Sequence, residues 1–416
     1  MIIDSKNYAG SCSCGRTHAI NTPMSIVEAG CLNRLEEYVA QSGLSGFRTV
    51  VYDRNTYNAK GMVRPKADQE IILNPQNLHA DEHGVALVME QMAEHTDYLI
   101  AIGSGTIHDI VRYCAYQKGI SFVSCPTAAS VDGFCSSVAA MTWEGAKKTL
   151  TAVAPVLVIA DLNVITQAPA HLVRSGFGDM IGKYTALTDW RIAHAITGEY
   201  YCSRIAEIME QATQAVLDSA EGIASGNQQA FENLTYGLLL SGIAMQMIGN
   251  SRPASAAEHH ISHCIEMAPE GLGVHSDALH GEKVGVGTLM TVREYKRLAQ
   301  LPDDQWGDYP GLDPRQIHAI FGESLSSQIF AENEKDCAAG ITGAQIRAVL
   351  DVIRREIAKM PSAEVLEQRY ARVGAKSTLE DIEVSNQLQQ QLLDVSPMVR
   401  NRLTLMRLRR CLKNTC

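Results

Sequence analysis

A chain of 416 residues is longer than one hydrophobic core usually organises, and at about 100–200 residues per domain it predicts two domains. Hydrophobic residues at 46% and charged residues at 20% fit an ordinary soluble globular protein and exclude a disordered or fibrous class. A net charge of −10 argues against wholesale nucleic-acid binding, so an anionic ligand has to be held by local donors.

The N-terminal stretch MIIDSKNYAGS lacks the basic start and apolar run of a signal peptide, and no run of ~20 apolar residues suggests a membrane span. A cytoplasmic location is therefore expected, with the eleven cysteines as reduced thiols. Cys12 and Cys14 in SCSCGRTH, with His18 nearby, have metal-ligand chemistry, but no second Cys pair at zinc-site spacing completes a tetrahedral set.

Between Gly46 and Val164 short apolar runs alternate with amphipathic stretches: FRTVVYD, EIIL, HGVALVMEQMAEH, DYLIAIG, SFVSCPT and VLVIAD. Continuous apolar strands separated by helical periods predict a doubly wound, mainly parallel sheet covered on both faces. Asp53 ends the first of these runs, where an acidic side chain can bind the ribose hydroxyls of a dinucleotide; it would repel a 2′-phosphate and so favour NADH over NADPH. Directly after the strand Tyr98–Ile102 comes Gly103-Ser104-Gly105-Thr106-Ile107-His108-Asp109, a strand-to-helix turn suited to a pyrophosphate. Its spacing is not GxGxxG, and a tight βα turn explains the glycines equally well. The segment Cys125-Pro126-Thr127-Ala128-Ala129-Ser130-Val131-Asp132-Gly133 follows the next strand and falls at the ligand-binding carboxyl end of such a sheet.

Two alternating runs around Glu144 and Gly145 predict a β-hairpin ahead of the last strand. From Thr166 the period is helical, as in SRIAEIMEQATQAVLDSAEGI and GAQIRAVLDVIRREIAKM. The change of period divides the chain into an α/β dinucleotide-binding domain over 1–165 and an all-α domain over 166–416, expected to bind metal and substrate. The active site is expected in the cleft between them. The basic C-terminal stretch with Arg400, Arg402, Arg407, Arg409, Arg410 and Lys413 reads as a solvated helix face.

His259, His260, His263, His275 and His280 crowd one segment, and on a helix His259 and His263 share a face. Two imidazoles do not satisfy zinc or nickel, so a carboxylate is needed; Asp179 in GFGDMIGK is the candidate, where small residues would leave space for a ligand. Taken singly, these residues have ordinary roles: a satisfied histidine, or for Asp179 a helix N-cap.

In order and at similar spacing, GSGTIHD, PTAASVDG, GFGDMIGKYTA, SRPASAAEHHISH and LHGEKVGVGTL resemble the motifs of glycerol-1-phosphate dehydrogenases, within the iron-containing alcohol dehydrogenase and dehydroquinate synthase-like superfamily. PTAAS-x-DG and RPAS-x-x-EH are more specific to the family than HGEKV, which glycerol dehydrogenases also carry. The resemblance implies metal ligands Asp179, His259 and His280, with Asp179 also close to substrate. It implies dinucleotide contacts from Asp53, the Gly105–Asp109 segment, Thr127, Ala128, Ala129, Ser130 and Ser136, and substrate contacts from Asp132 and His263. The i,i+4 pairing with His263 selects His259 over His260.

The activity implied is reduction of a small phosphorylated three-carbon ketone, dihydroxyacetone phosphate, to sn-glycerol 1-phosphate by a homodimer. NAD(H) or NADP(H) would be the cofactor, with one divalent metal: nickel in the bacterial branch, zinc in the archaeal one. The metal would polarise the carbonyl, and His263, titrating near neutral pH, or metal-bound water would deliver the proton. Arg252 and Lys283 are phosphate candidates on charge. Rival expectations are a dehydrogenase for unphosphorylated polyols, a dehydroquinate synthase-like lyase, and a non-catalytic nucleotide-binding protein.

Overall fold

The apolar runs of the first half are strands. In chain order they are β1 (Ile2–Asp4), β2 (Gly10–Ser11), β3 (Thr17–His18), β4 (Met24–Glu28), β5 (Arg48–Asp53), β6 (Gln69–Leu73), β7 (Tyr98–Gly103), β8 (Ser121–Pro126), β9 (Val138–Trp143), β10 (Ala146–Thr151) and β11 (Leu157–Asp161). Seven form one sheet in the order β1-β4-β11-β8-β7-β5-β6, all neighbours parallel except the antiparallel edge strand β1. Side chains alternate between its two faces: Val50 and Tyr52 join one core with Ile100, Ile102 and Val123, and Val51 joins the other with Leu99, Ala101 and Phe122. Burial on both faces is why these strands read as unbroken apolar runs.

The computed structural model describes residues 1–144 and 146–413. The predicted hairpin is present as β9 and β10, paired from Val138↔Thr151 to Trp143↔Ala146, while Gly145 of its turn lies outside the described residues. Among the described residues no helix is long and apolar enough to cross a membrane.

The helices that bear on function are α1 (Gly105–Lys118), α2 (Ala170–Ile181), α3 (Gln228–Ile248), α4 (Ala257–Met267) and α5 (His280–Ala299). The period changes at residue 166, but contacts divide the chain differently: one unit comprises Met1–Met180 and Gln214–Asn250, the other Ile181–Thr213 and Ser251 onward. Helical periodicity reports the secondary structure of a segment and not the core it joins, and α3 belongs to the unit that carries the sheet. Among the described residues, every helix or strand of the second unit is a helix, and a single isolated β-bridge joins Trp306 and Leu412.

The basic C-terminal stretch is not a solvated helix face. In the second unit Arg407 is fully buried, paired with Asp336 at 2.8 Å and donating to the carbonyl of Pro397 at 2.9 Å. Arg409 is buried against Glu294 at 2.5 Å. These guanidiniums are structural ties whose partners lie far away in sequence.

Candidate functional site

On α4 the sequence AEHHISHCIEM places His259, His263 and Glu266 at spacings of four and three, which is one face of a helix. His280 is the first residue of α5. Gly287 lets the two helices approach: a Cβ there would lie 2.6 Å from the carbonyl oxygen of Glu258, a contact no side chain could make. The imidazoles of His259, His263 and His280 consequently gather, with ring centroids 5.3 Å apart for His259 and His280, 5.6 Å for His263 and His280, and 6.1 Å for His259 and His263.

Carboxylates orient these rings. Glu258, fully buried, meets Nδ1 of His259 at 2.8 Å and also accepts from the Ala256 N–H at 2.8 Å and the Thr185 hydroxyl at 2.6 Å. Burial opposes ionisation of Glu258, but the hydrogen bonds from His259, Thr185 and Ala256 outweigh it and hold its carboxyl below the ordinary range. Glu266 meets Nδ1 of His280 at 2.9 Å and Nδ1 of His263 at 3.2 Å. Burial works against its charge too, but the neighbouring His280 and His263 keep it well below the ordinary range. A carboxylate on Nδ1 leaves Nε2 as the lone-pair nitrogen, the arrangement that metal-binding histidines use. His263, Glu266 and His280 also offer ligand atoms within 4.8 Å of one another. Glu266 was not among the residues singled out from the sequence; its spacing of three from His263 was the available signal.

The two other histidines of the segment differ. His260 is buried, neither ring nitrogen has a hydrogen-bond partner among the described residues, and burial together with the nearby Arg402 pushes its pKa well below the ordinary value. It is a neutral core histidine. His275 is mostly exposed and pairs with Asp277 at 3.2 Å. Burial pushes His263 down to about 4, so its ring is neutral at pH 7 and does not titrate near neutrality as the sequence suggested.

In the sheet-bearing unit, Asp179 lies inside α2 and is fully buried, so it is not an N-cap. Its Oδ2 accepts from the backbone N–H of Asp132 at 3.0 Å, and Asp132 in turn accepts from the Ser241 hydroxyl of α3 at 2.8 Å. Two residues expected to touch substrate are therefore joined directly. At Gly176, ahead of Asp179, packing leaves no space for a ligand: a Cβ there would lie 2.0 Å from the carbonyl oxygen of Ala129. Ser175 likewise donates to the carbonyl of Ser130 at 3.1 Å, so α2 holds the Thr127–Ser130 loop by its backbone. Thr127 itself donates its N–H to Gly103 at 3.0 Å, tying this loop to the glycine turn.

At that turn β7 ends on Gly103 and α1 begins on Gly105, with Ser104 extended at the N-cap. Helical geometry leaves the N–H groups of Gly105, Thr106 and Ile107 without an intrahelical acceptor, and these are what the first turn can offer an anion. The side chains that follow are engaged in the fold. Ile107 and His108 are buried; His108 Nδ1 lies 2.9 Å from the Ser104 carbonyl, its ring meets Phe134 edge-on at 4.9 Å, and burial pushes its pKa to about 3. Asp109 pairs with Arg112 at 2.6 Å, and buried Arg112 donates to the carbonyl of Gly133 at 2.6 Å. Asp53 caps a short helix by accepting from Thr56 N–H at 2.8 Å. Ser136 closes a local turn, with its hydroxyl 2.8 Å from the Val138 carbonyl.

Of the two phosphate candidates, Arg252 is bound on both sides of its fork by Glu199, at 2.5 Å through Nε, and donates to Leu403 O at 2.8 Å. Its charge is neutralised within the second unit. Buried Lys283 approaches Glu266 at 3.9 Å.

The family model for iron-containing alcohol dehydrogenases matches residues 26–169. A glycerol-1-phosphate dehydrogenase (NAD(P)+) of Halalkalibacterium halodurans is 33% identical over 98% of this chain and 97% of its own length. Among solved structures, an iron-containing alcohol dehydrogenase from Corynebacterium glutamicum aligns with a TM-score of 0.59 at 15% identity, over 96% of this chain and 97% of that one. A sulfoacetaldehyde reductase from Bifidobacterium kashiwanohense, solved with NAD+, aligns with a TM-score of 0.59 at 13% identity, over 96% and 99%. These two share the fold. The near-complete alignment to the first relative, with the ordered motifs and the histidine cluster, places the chain in the glycerol-1-phosphate dehydrogenase family of the iron-containing alcohol dehydrogenases.

Proposed function

We propose that the protein reduces dihydroxyacetone phosphate to sn-glycerol 1-phosphate with NAD(P)H, reversibly, as an oxidoreductase dependent on a divalent metal. The observation that carries this reading is the 33% identity to a glycerol-1-phosphate dehydrogenase over 97% of that relative's length. The metal dependence draws its support from the imidazoles of His259 and His280, each held at Nδ1 by a buried or half-buried carboxylate.

In this reading His259, His280 and Asp179 hold the ion, nickel or zinc, through two imidazole nitrogens and a carboxylate oxygen, a donor set that suits either. When bound, it supplies a Lewis acid for the substrate carbonyl. Glu258 and Glu266 fix the two rings so that Nε2 carries the lone pair. His263, neutral at working pH with its Nδ1–H held by Glu266, presents the Nε2 lone pair to a substrate hydroxyl, and Asp132 orients the substrate together with Asp179. The first-turn amides Gly105, Thr106 and Ile107 bind the dinucleotide pyrophosphate beside Gly103 and the Thr127, Ala128, Ala129 and Ser130 loop. Asp53 takes the ribose and favours NADH, and Ser136 completes this side. His108 and Asp109 act only by holding the turn. A homodimer belongs to the same reading and rests on the family resemblance alone.

The test is a steady-state assay with dihydroxyacetone phosphate and NADH on chelated protein, with nickel or zinc added back and the product resolved by chirality. Activity that vanishes on chelation, returns with metal and yields the sn-1 isomer is expected. Oxidation of glycerol in preference to glycerol 1-phosphate would overturn the substrate, and full activity in metal-free protein would overturn the metal.

A further inference from the structure

The N-terminal hairpin carries a second set of metal-ligand side chains, unused by the reaction. β2 and β3 pair antiparallel through Gly10↔His18 and Ser11↔Thr17, and the connecting turn is closed by Cys12 N–H to Arg16 O and by Gly15 N–H to Cys12 O, both at 3.0 Å. This fold brings the sulfurs of Cys12 and Cys14 and the ring of His18 within 4.8 Å of one another. Sequence spacing alone offered no second cysteine pair; the hairpin supplies an imidazole instead.

His18 is set for this task. It is 2% exposed, and its Nδ1 lies 2.8 Å from the carbonyl oxygen of Met247 in the last turn of α3. That carbonyl lacks an acceptor role inside the helix, so Nδ1 carries the proton and donates it. Nε2 is then the lone-pair nitrogen, and it faces the Cys14 sulfur at 3.5 Å. The other thiols of the same unit are different: Cys31, Cys114, Cys125 and Cys135 are buried, and burial pushes Cys125 well up and the other three up to about 12, so they act as small apolar side chains. Cys12 and Cys14 are only half-buried.

We propose that this hairpin binds a zinc ion through the thiolates of Cys12 and Cys14 and Nε2 of His18. Two sulfurs and one imidazole are the soft, tetrahedral donor set that selects zinc, and one position remains for a further donor. Binding forms two Zn–S bonds and one Zn–N bond, and releases two thiol protons to solvent. The ion is structural: it fastens a hairpin of two-residue strands, too short to be stable alone, to the end of α3.

The experiment uses the full chain loaded with cobalt in place of zinc. The ligand set proposed for catalysis contains no sulfur, so a thiolate-to-cobalt charge-transfer band in the near ultraviolet reports the hairpin alone. The band is expected in the wild type and in His280→Ala, and is lost in Cys12→Ser/Cys14→Ser, which also binds one zinc fewer per chain. Wild-type protein gives a second measurement that needs no variant: alkylation mapped by mass spectrometry, where Cys12 and Cys14 are protected until a chelator is added. A cobalt-loaded wild type without the band, or alkylation of both residues at one rate with and without chelator, overturns the site.

Discussion

Glu266 binds Nδ1 of His280 at 2.9 Å from one carboxylate oxygen, while its other oxygen takes Nδ1 of His263 at 3.2 Å. One half-buried acid thereby sets the tautomer of two rings from two different helices. In Glu266→Gln one carboxamide atom can still accept, but the other becomes a donor and meets an N–H. The expected result is metal affinity weaker by about 10–100-fold, with turnover recovered at high metal concentration. Chelator competition measures this. Unchanged affinity would mean that Glu266 does not orient the ligand, and loss of metal at every concentration would make it a ligand itself.

The adjacent pair His259 and His260 gives an opposed prediction. His259 has its Nδ1 on Glu258, whereas His260 is a neutral ring in the core without a partner among the described residues. His259→Ala should lose the metal and the activity. His260→Phe, which exchanges an unsatisfied polar ring for an apolar one of similar size, should keep one catalytic metal and lose little stability. Metal analysis alongside thermal unfolding separates the two, and full occupancy in His259→Ala would reassign the ligand.

The sheet and the histidine cluster were legible for the same reason: each is a local pattern with one physical explanation. Val50, Val51 and Tyr52 are all apolar because alternate residues enter two different cores, and that run is visible in the sequence. The carboxylates that complete the site were not legible. Glu266 reaches His280 only because α4 and α5 pack closely, and no spacing encodes that approach. The same limit explains Arg252 and Arg407, whose charges satisfy Glu199 and Asp336 from distant segments. At the turn after β7 the glycines were read correctly as a strand-to-helix junction, but His108 and Asp109 are engaged within the fold. A motif gives the path of the backbone and leaves the direction of each side chain open.

Asp189 carries a pH dependence. It is fully buried in the second unit, where it accepts from Tyr295 OH at 2.8 Å and Leu405 N–H at 2.8 Å, and burial pushes its pKa to about 7. An acid with a folded pKa above its unfolded 3.8 binds protons more readily when folded. Its contribution is therefore most favourable below the unfolded pKa and is lost as pH rises towards 7, by up to about 4 kcal/mol. Asp189→Asn should remove this slope. Denaturant midpoints at about pH 5 and about pH 8 should move further apart in the wild type than in the variant. Equal differences in both proteins would show that Asp189 does not titrate in this range.

Gly287 links the packing to the chemistry. Its Cα faces the carbonyl of Glu258, and a methyl group at 2.6 Å from that oxygen has to push α4 and α5 apart. Overpacking of this kind costs about 1–3 kcal/mol. The displacement also acts on function, because His259 rides on α4 and His280 on α5, with ring centroids 5.3 Å apart. Gly287→Ala should therefore lower both the unfolding midpoint and the metal affinity. A control such as Gly198→Ala, in a left-handed turn with nothing within 4 Å of an added Cβ, strains only its own backbone and should lower the midpoint alone. If both variants lose stability and both keep wild-type metal affinity, close approach at Gly287 is not what holds the two histidines together.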